Sequence, residues 1–189
     1  ASTGGITLNG TSSLVINAAV AVNIGNATYR GDIVQNDTSN VTFSTAAATV
    51  ALSGTWTKSS TATITNTTPA NLSLVGTTAV TLPATLTTLN SLTVNKPGST
   101  CTLSDALTVS TGALTVTAGT LVVGDNNLTA SSTTSIALGA TLNAASTATK
   151  TRTFTGAITL NGTLISTGAN VTNTFTANLS IPATGVLTI

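Results

Sequence analysis

The chain has 189 residues, of which only 5% are charged; its net charge is +1 and it contains no histidine. The few basic residues form no stripe that could neutralise a run of phosphates, which argues against nucleic acid as a partner. Threonine and asparagine supply most of the polar positions, and these residues favour strands and turns respectively. We therefore expect one all-β domain over residues 1–189, essentially without helices.

The predicted strands begin close to the N-terminus. The most apolar segment, residues 14–24, is far shorter than the roughly 20 apolar residues of a membrane helix, so it predicts buried strand and no membrane span. The chain does not begin with methionine. We expect a mature form whose leader has been removed, and hence an extracellular or cell-surface location.

The central part of the chain repeats one theme between residues 90 and 146. Apolar residues alternate with threonine, and glycine, asparagine or aspartate precedes each new apolar run, as in 106–109, 112–116, 119–123 and 127–129. Repetition favours a parallel β-solenoid. With coils of about 20 residues, stacked about 4.8 Å apart, the chain would form about nine irregular coils. An antiparallel β-sandwich with donor-strand exchange is the alternative.

The segments 92–96, 106–116 and 119–129 carry a resemblance. They are similar to the degenerate strand repeats of prokaryotic extracellular β-solenoid surface proteins, such as filamentous adhesins and autotransporter passengers. The resemblance implies a secreted structural or adhesive protein. It implies no individual site residue.

The C-terminal part contains threonine at every second position from 147 to 155, and again at 172, 174 and 176. This pattern resembles ice-binding solenoids, in which threonine pairs occupy the same place in every coil, but the irregular spacing here argues against that function. Lys150 and Arg152 share a strand face with Phe154. Because charged residues are rarely buried, we expect the strand to begin near Thr153.

Ten asparagines stand in N-x-Ser/Thr triplets, which are N-glycosylation acceptors in secreted proteins. They are Asn9, Asn26, Asn36, Asn40, Asn66, Asn71, Asn127, Asn161, Asn170 and Asn178. Covalent glycans on some of them would suit an extracellular protein. Turn formation is the alternative role, because asparagine tolerates a left-handed backbone.

Few residues have side chains suited to catalysis or metal binding. Asp105 and Asp125 could stack at one corner of adjacent coils and offer oxygens to a hard cation, or simply cap that corner. Without histidine, and with four aspartates as the only acids, the sequence predicts no catalytic site, no metal site and no cofactor. Cys101 is alone and shares a strand face with Leu103, so we expect a buried thiol.

The aromatic residues are equally few. Trp56 lies an even number of positions from Leu52, and so does Phe154 from Ile158, which places each pair on one strand face. This favours core positions for both aromatic residues over a sugar-binding platform. Tyr29 is the remaining candidate for sugar contact.

The two ends of the chain carry apolar residues that suit strand pairing. These residues, which we call the assembly ends, are Ile6, Leu8, Val186, Leu187 and Ile189. A solenoid coil without a cap exposes apolar surface and unpaired backbone. The hexad at 6–11 also recurs at 158–163. We therefore expect a homopolymer, a structural subunit that assembles end to end by β-strand pairing. The alternative is a monomeric adhesin or glycan-binding module, or an ice-binding solenoid.

Overall fold

The computed structural model describes residues 6–8, 13–16, 21–24, 31–43 and 49–189, the first three ranges as backbone strands. Every helix or strand in these ranges is a β-strand, so the all-β prediction is confirmed. The described part of the chain has no helix with the length and apolarity needed to cross a membrane.

The strands are short and follow one another closely. They are β1 (Ile6–Leu8), β2 (Ser13–Ile16), β3 (Ala21–Ile24), β4 (Ile33–Gln35), β5 (Asn40–Phe43), β6 (Thr49–Leu52), β7 (Trp56–Lys58), β8 (Thr63–Asn66), β9 (Asn71–Leu74), β10 (Val80–Leu82), β11 (Thr88–Leu89), β12 (Ser91–Leu103), β13 (Leu107–Val109), β14 (Leu114–Val122), β15 (Leu128–Ala130), β16 (Thr134–Ile136), β17 (Thr141–Asn143), β18 (Lys150–Phe154), β19 (Ile158–Leu160), β20 (Thr163–Ile165), β21 (Val171–Phe175), β22 (Leu179–Ser180) and β23 (Val186–Thr188).

Every strand pair in the described residues is parallel. Each strand pairs with one that lies a full turn earlier or later in the chain, so the chain winds as a β-solenoid. The predicted parallel solenoid is confirmed. The alternative of an antiparallel sandwich is wrong, because a sandwich requires antiparallel neighbours.

Each turn contributes one strand to each of three faces. The first face stacks β3, β6, β9, the start of β12, the start of β14, β16, β19 and β22. The second face runs through β1, β4, β7, β10, the ends of β12 and β14, β17, β20 and β23. The third face contains β2, β5, β8, β11, β13, β15, β18 and β21. The long strands β12 and β14 bend from the first face into the second.

The solenoid has about seven turns, which are the steps between the eight strands stacked on its first face, and this is fewer than the nine coils predicted. The reason is that most turns contain more residues than the prediction assumed. Thr100 pairs with Thr120, whereas Ala21 pairs with Thr49, so the turn that starts at Ala21 contains more of the chain. At about 4.8 Å per turn the stack is roughly 34 Å long.

The core is a set of stacked aliphatic columns inside the three faces. On the first face, Leu52, Leu74 and Val94 lie directly above one another, and each is completely buried. The same column continues through Val116, Ile136 and Leu160. Period-2 alternation places these residues inside and the intervening serines and threonines outside. Each coil therefore buries its apolar residues against the coils before and after it.

Gly119 makes the bend of β14 possible. Its φ is +77°, and a Cβ there would lie 2.0 Å from the carbonyl oxygen of Lys96. Only glycine fits this left-handed, crowded position. The bend carries the chain from the first face to the second within one continuous strand.

Candidate functional site

The final coil, Val171–Ile189, is the most exposed apolar part of the described chain. β21, β22 and β23 pair with β18, β19 and β20, and no described strand pairs with their other edges. Its inward-facing residues Phe175, Leu179 and Leu187 pack against the core but are only half-buried. The residues directly beneath them are Phe154, Ile158 and Leu164, which are 0–1% exposed. The final coil thus presents the ends of three core columns.

The predicted C-terminal assembly residues all belong to this exposed coil. Val186 is 50% exposed, Ile189 is 69% exposed, and Leu187 is half-buried. Ile181, which was not predicted, is 44% exposed on the same coil. Phe175 was also not predicted as an end residue. Its ring stacks on Phe154, and the ring centroids are 5.5 Å apart.

One backbone edge of the final coil is unpaired among the described residues. The amide N–H of Val186 donates to the Gly162 carbonyl (2.8 Å), and the Thr188 carbonyl accepts from the Ser166 N–H (2.8 Å). The N–H and C=O groups of successive strand residues point to opposite sides of the strand. The N–H and C=O of Leu187, between these two residues, therefore point away from the solenoid. They are available to pair with another strand.

The N-terminal assembly residues Ile6 and Leu8 belong to β1, which pairs with β4 at the other end of the described stack. Their side chains lie outside the described part. The repeated hexad occupies two different places: Ile6–Leu8 is in the second-face series, and Ile158–Leu160 is in the first face. The identical sequences are therefore not equivalent positions in the solenoid.

The glycosylation candidates fall into three groups. Asn127, Asn170 and Asn178 are exposed. Asn36, Asn40, Asn66, Asn71 and Asn161 are half-buried. Asn9 and Asn26 lie outside the described residues.

Several half-buried asparagines act as structural links between coils. This differs from the predicted turn role, since no asparagine among the described residues has a positive φ. The side-chain oxygen of Asn71 accepts from Asn90 (2.6 Å) and from Ser91 (2.7 Å). The side-chain oxygen of Asn40 accepts from Thr63 (3.0 Å) in the next coil. Of the three exposed sequons, Asn127 accepts from the Thr151 N–H (3.0 Å). The side-chain amides of Asn170 and Asn178 make no hydrogen bond within the described residues, and these are the most accessible acceptors.

The aspartates cap corners. One carboxylate oxygen of Asp125 accepts from the Ser146 hydroxyl (2.7 Å) and the Thr147 N–H (2.8 Å) in the next coil, and these bonds lower the pKa of Asp125 to about 2. Asp105 accepts from the N–H of Ala106 (2.7 Å) in its own turn. Asp32 accepts from the Thr55 N–H (2.6 Å) one coil away. In the described ranges, no three Cys or Asp side chains come together as a metal-ion site.

Trp56 belongs to the core, as predicted. It is 4% exposed, its indole N–H donates to Gln35 Oε1 (2.8 Å), and its ring meets Phe43 edge-on at 6.2 Å. A groove of about 330 Å³ beside it includes Lys58 and Pro83. Among the described residues that line this groove, Lys58 is the only titratable one, so they offer no acid–base pair. Tyr29 lies outside the described residues.

The position of Arg152 shows that the predicted start of its strand is wrong. β18 begins at Lys150 and not near Thr153, and Arg152 points into the core with Phe154, both completely buried. The guanidinium donates to carbonyls at a corner of the solenoid: Gly124 (2.8 Å), Ala144 (3.2 Å) and Asn126. Burial lowers the pKa of Arg152, and the nearby Asp125 charge partly opposes this shift.

Lys96 has a comparable role, which the sequence analysis missed. It is 0% exposed, and its ammonium donates to the carbonyls of Thr78 (2.7 Å), Val75 (2.9 Å) and Ser53 (3.2 Å). Burial lowers the pKa of Lys96. Both buried cations thus satisfy carbonyls that the corners leave without a strand partner. Cys101, a buried free thiol as predicted, has its pKa raised by burial to about 12.

Comparison with known proteins gives no match: no protein-family model, no curated protein and no solved structure is significantly similar to this chain.

Proposed function

We propose that this protein is a structural subunit that assembles end to end, through β-strand pairing, into an extracellular filament, sheath or surface layer. The observation that carries the proposal is the final coil, where Phe175, Leu179 and Leu187 continue buried core columns but remain half-exposed. Apolar columns of this kind are stabilised when another coil covers them.

A second copy of the same chain is the proposed occupant. The final coil offers the free edges of three parallel strands, one on each face, and a solenoid coil of the same three-faced shape fits all three at once. Each hydrogen bond formed across such a junction contributes about 1 kcal/mol net. Burial of the column ends adds about 25 cal/mol per Å² of apolar surface removed from water.

The surface chemistry supports an extracellular role. Solubility depends on hydroxyl and amide groups, since only 5% of the residues are charged. The exposed sequons at Asn127, Asn170 and Asn178 are the proposed sites of covalent glycans. The proposed role is structural and requires no catalytic group, cofactor or nucleic acid.

Sedimentation velocity and negative-stain microscopy test the proposal, with one variant and one matched control. Leu187→Lys places a charge at the end of a core column and should leave a folded monomer of 18.5 kDa. Thr188→Lys adds the same charge to the next residue, which is exposed on the outer surface, and should still assemble. The wild-type protein should form rods or larger particles at micromolar concentration. A wild-type protein that remains monomeric at high micromolar concentration contradicts the proposal, and so does equal assembly of both variants.

A further inference from the structure

The outer surface of the third face carries an unbroken column of threonines. Parallel pairing places five threonines in register, one per coil: Thr88, Thr108, Thr129, Thr153 and Thr174. Within a strand, alternate residues lie on the same surface. This column therefore runs along the middle of the face.

Two flanking columns widen this surface. On one side, Thr151 stacks directly on Thr172, and Asn127 precedes them in the same column. On the other side, backbone hydrogen bonds place Ser131, Thr155 and Thr176 in successive coils. We call this surface, formed by residues 127–131, 151–155 and 172–176, the threonine face. Its last two coils each present three threonines side by side.

Irregular spacing in the sequence does not disturb the threonine face. The sequence separation between Leu128 and its partner Arg152 is larger than that between Lys150 and its partner Val171. The extra residues lie in the corners, so the strands remain in register. The irregular spacing of the threonines in the sequence is therefore compatible with a regular threonine array in the folded solenoid.

The hydroxyls of the central column have no hydrogen-bond partner in the part of the chain that the structure describes. Thr108, Thr129, Thr153 and Thr174 make no side-chain hydrogen bond within the described residues, and the adjacent Thr172 makes none either. These hydroxyls are partly or fully exposed, so water must satisfy them. Charge is absent from the three columns, because Arg152 of β18 points into the core.

We propose that the threonine face binds ice. Its hydroxyls form a two-dimensional array with a repeat of about 4.8 Å between coils and about 6.6 Å along a strand. Rows of oxygen atoms on the prism faces of hexagonal ice have repeats of the same order. The β-branched side chain restricts χ1, so each hydroxyl and methyl group is held in place before water arrives. An array of this kind orders water at lattice positions and adsorbs to the crystal.

Crystalline polysaccharide, another regular surface, fits less well. Recognition of sugar rings relies largely on aromatic side chains, which combine a large apolar surface with a polar edge. The two aromatic residues of these strands, Phe154 and Phe175, face the core instead. The threonine face therefore lacks an aromatic platform.

The test compares matched tyrosine substitutions on two faces. Thr153→Tyr puts a bulky ring in the middle of the threonine face, and Thr115→Tyr puts the same ring on the first face at an equally half-buried, outward position. Inhibition of ice recrystallisation and thermal hysteresis are the readouts. The wild-type protein and Thr115→Tyr should be active at micromolar concentration, and Thr153→Tyr should lose activity at least tenfold.

Three outcomes overturn the inference: an inactive wild-type protein, equal loss of activity in the two variants, or binding to crystalline cellulose in place of ice. Circular dichroism establishes that both variants are folded. The same assays on Leu187→Lys separate this inference from the proposed assembly, since a monomer retains the threonine face.

Discussion

Leu164 and Leu187 occupy the same inward column of the second face, one coil apart. Leu164 is completely buried between Leu142 and Leu187, whereas Leu187 has a coil on one side only and is half-buried. Truncation of a fully buried leucine to alanine costs about 2–5 kcal/mol. We expect Leu164→Ala to lower the free energy of unfolding by this amount. Because half of its packing is missing, Leu187→Ala should cost a dilute subunit about 1–2 kcal/mol.

Assembly changes this comparison. When a copy covers the final coil, Leu187 becomes as buried as Leu164, and its truncation removes about 1–2 kcal/mol more from the junction. That energy corresponds to a rise of roughly 5- to 30-fold in the critical concentration for assembly.

Urea unfolding followed by circular dichroism at low concentration measures the loss of stability in the isolated subunit. Sedimentation measures the critical concentration for assembly. The reasoning is refuted if Leu164→Ala has its full effect on unfolding while Leu187→Ala leaves the critical concentration unchanged.

Three further measurements follow from the buried and capping groups. Arg152→Met should lower the free energy of unfolding in urea by about 3 kcal/mol, because it leaves buried corner carbonyls without donors; the neighbouring Lys150→Met should change it by less than about 0.5 kcal/mol, and equal effects would contradict the assigned role. The pKa of Asp125 is lowered to about 2, so its stabilising contribution is complete above the ordinary value near 3.8 and is lost as the pH falls toward 2. Melting temperature should therefore be nearly constant from pH 7 to 4 and fall below that, with a smaller fall in Asp125→Asn; a steep fall already between pH 7 and 4 would count against this. Burial raises the pKa of Cys101 to about 12, so the native thiol should resist alkylation at pH 8 and react only after unfolding, as mass spectrometry can show; fast native labelling would be inconsistent with the structure.

The face of each strand that points into the core was predictable from the alternation of apolar and polar residues. In β13, Leu107 and Val109 are buried, and Thr108 between them faces outward. Leu114 and Val116 of β14 flank an outward-facing threonine in the same way. The number of turns was not predictable. Corners absorb a variable number of residues, and no local pattern states how many, since register is decided by pairing with a strand one turn away.

The roles of the buried cations also lay beyond the sequence. The ammonium of Lys96 reaches the carbonyl of Ser53, 43 residues earlier in the chain. No short-range motif encodes such a contact. The parity that Arg152 shares with Phe154 was a usable signal, but the usual exposure of arginine argued against burial. The apolar residues near Val186 were predicted as an assembly end from the sequence, whereas the position of Phe175 in the same coil became visible only through its stacking on Phe154.

The stacking of one coil on the next also determines how the molecule responds to a pulling force. A pull on Ile189 loads the final coil first, because its strands are held along one edge only. A full coil, such as the one from Thr163 to its partner Val186, spans roughly 75–85 Å when it is fully extended. Stretching should therefore lengthen the chain in steps, with each peeled coil exposing the next one, so that a rod of this type yields gradually instead of breaking at once.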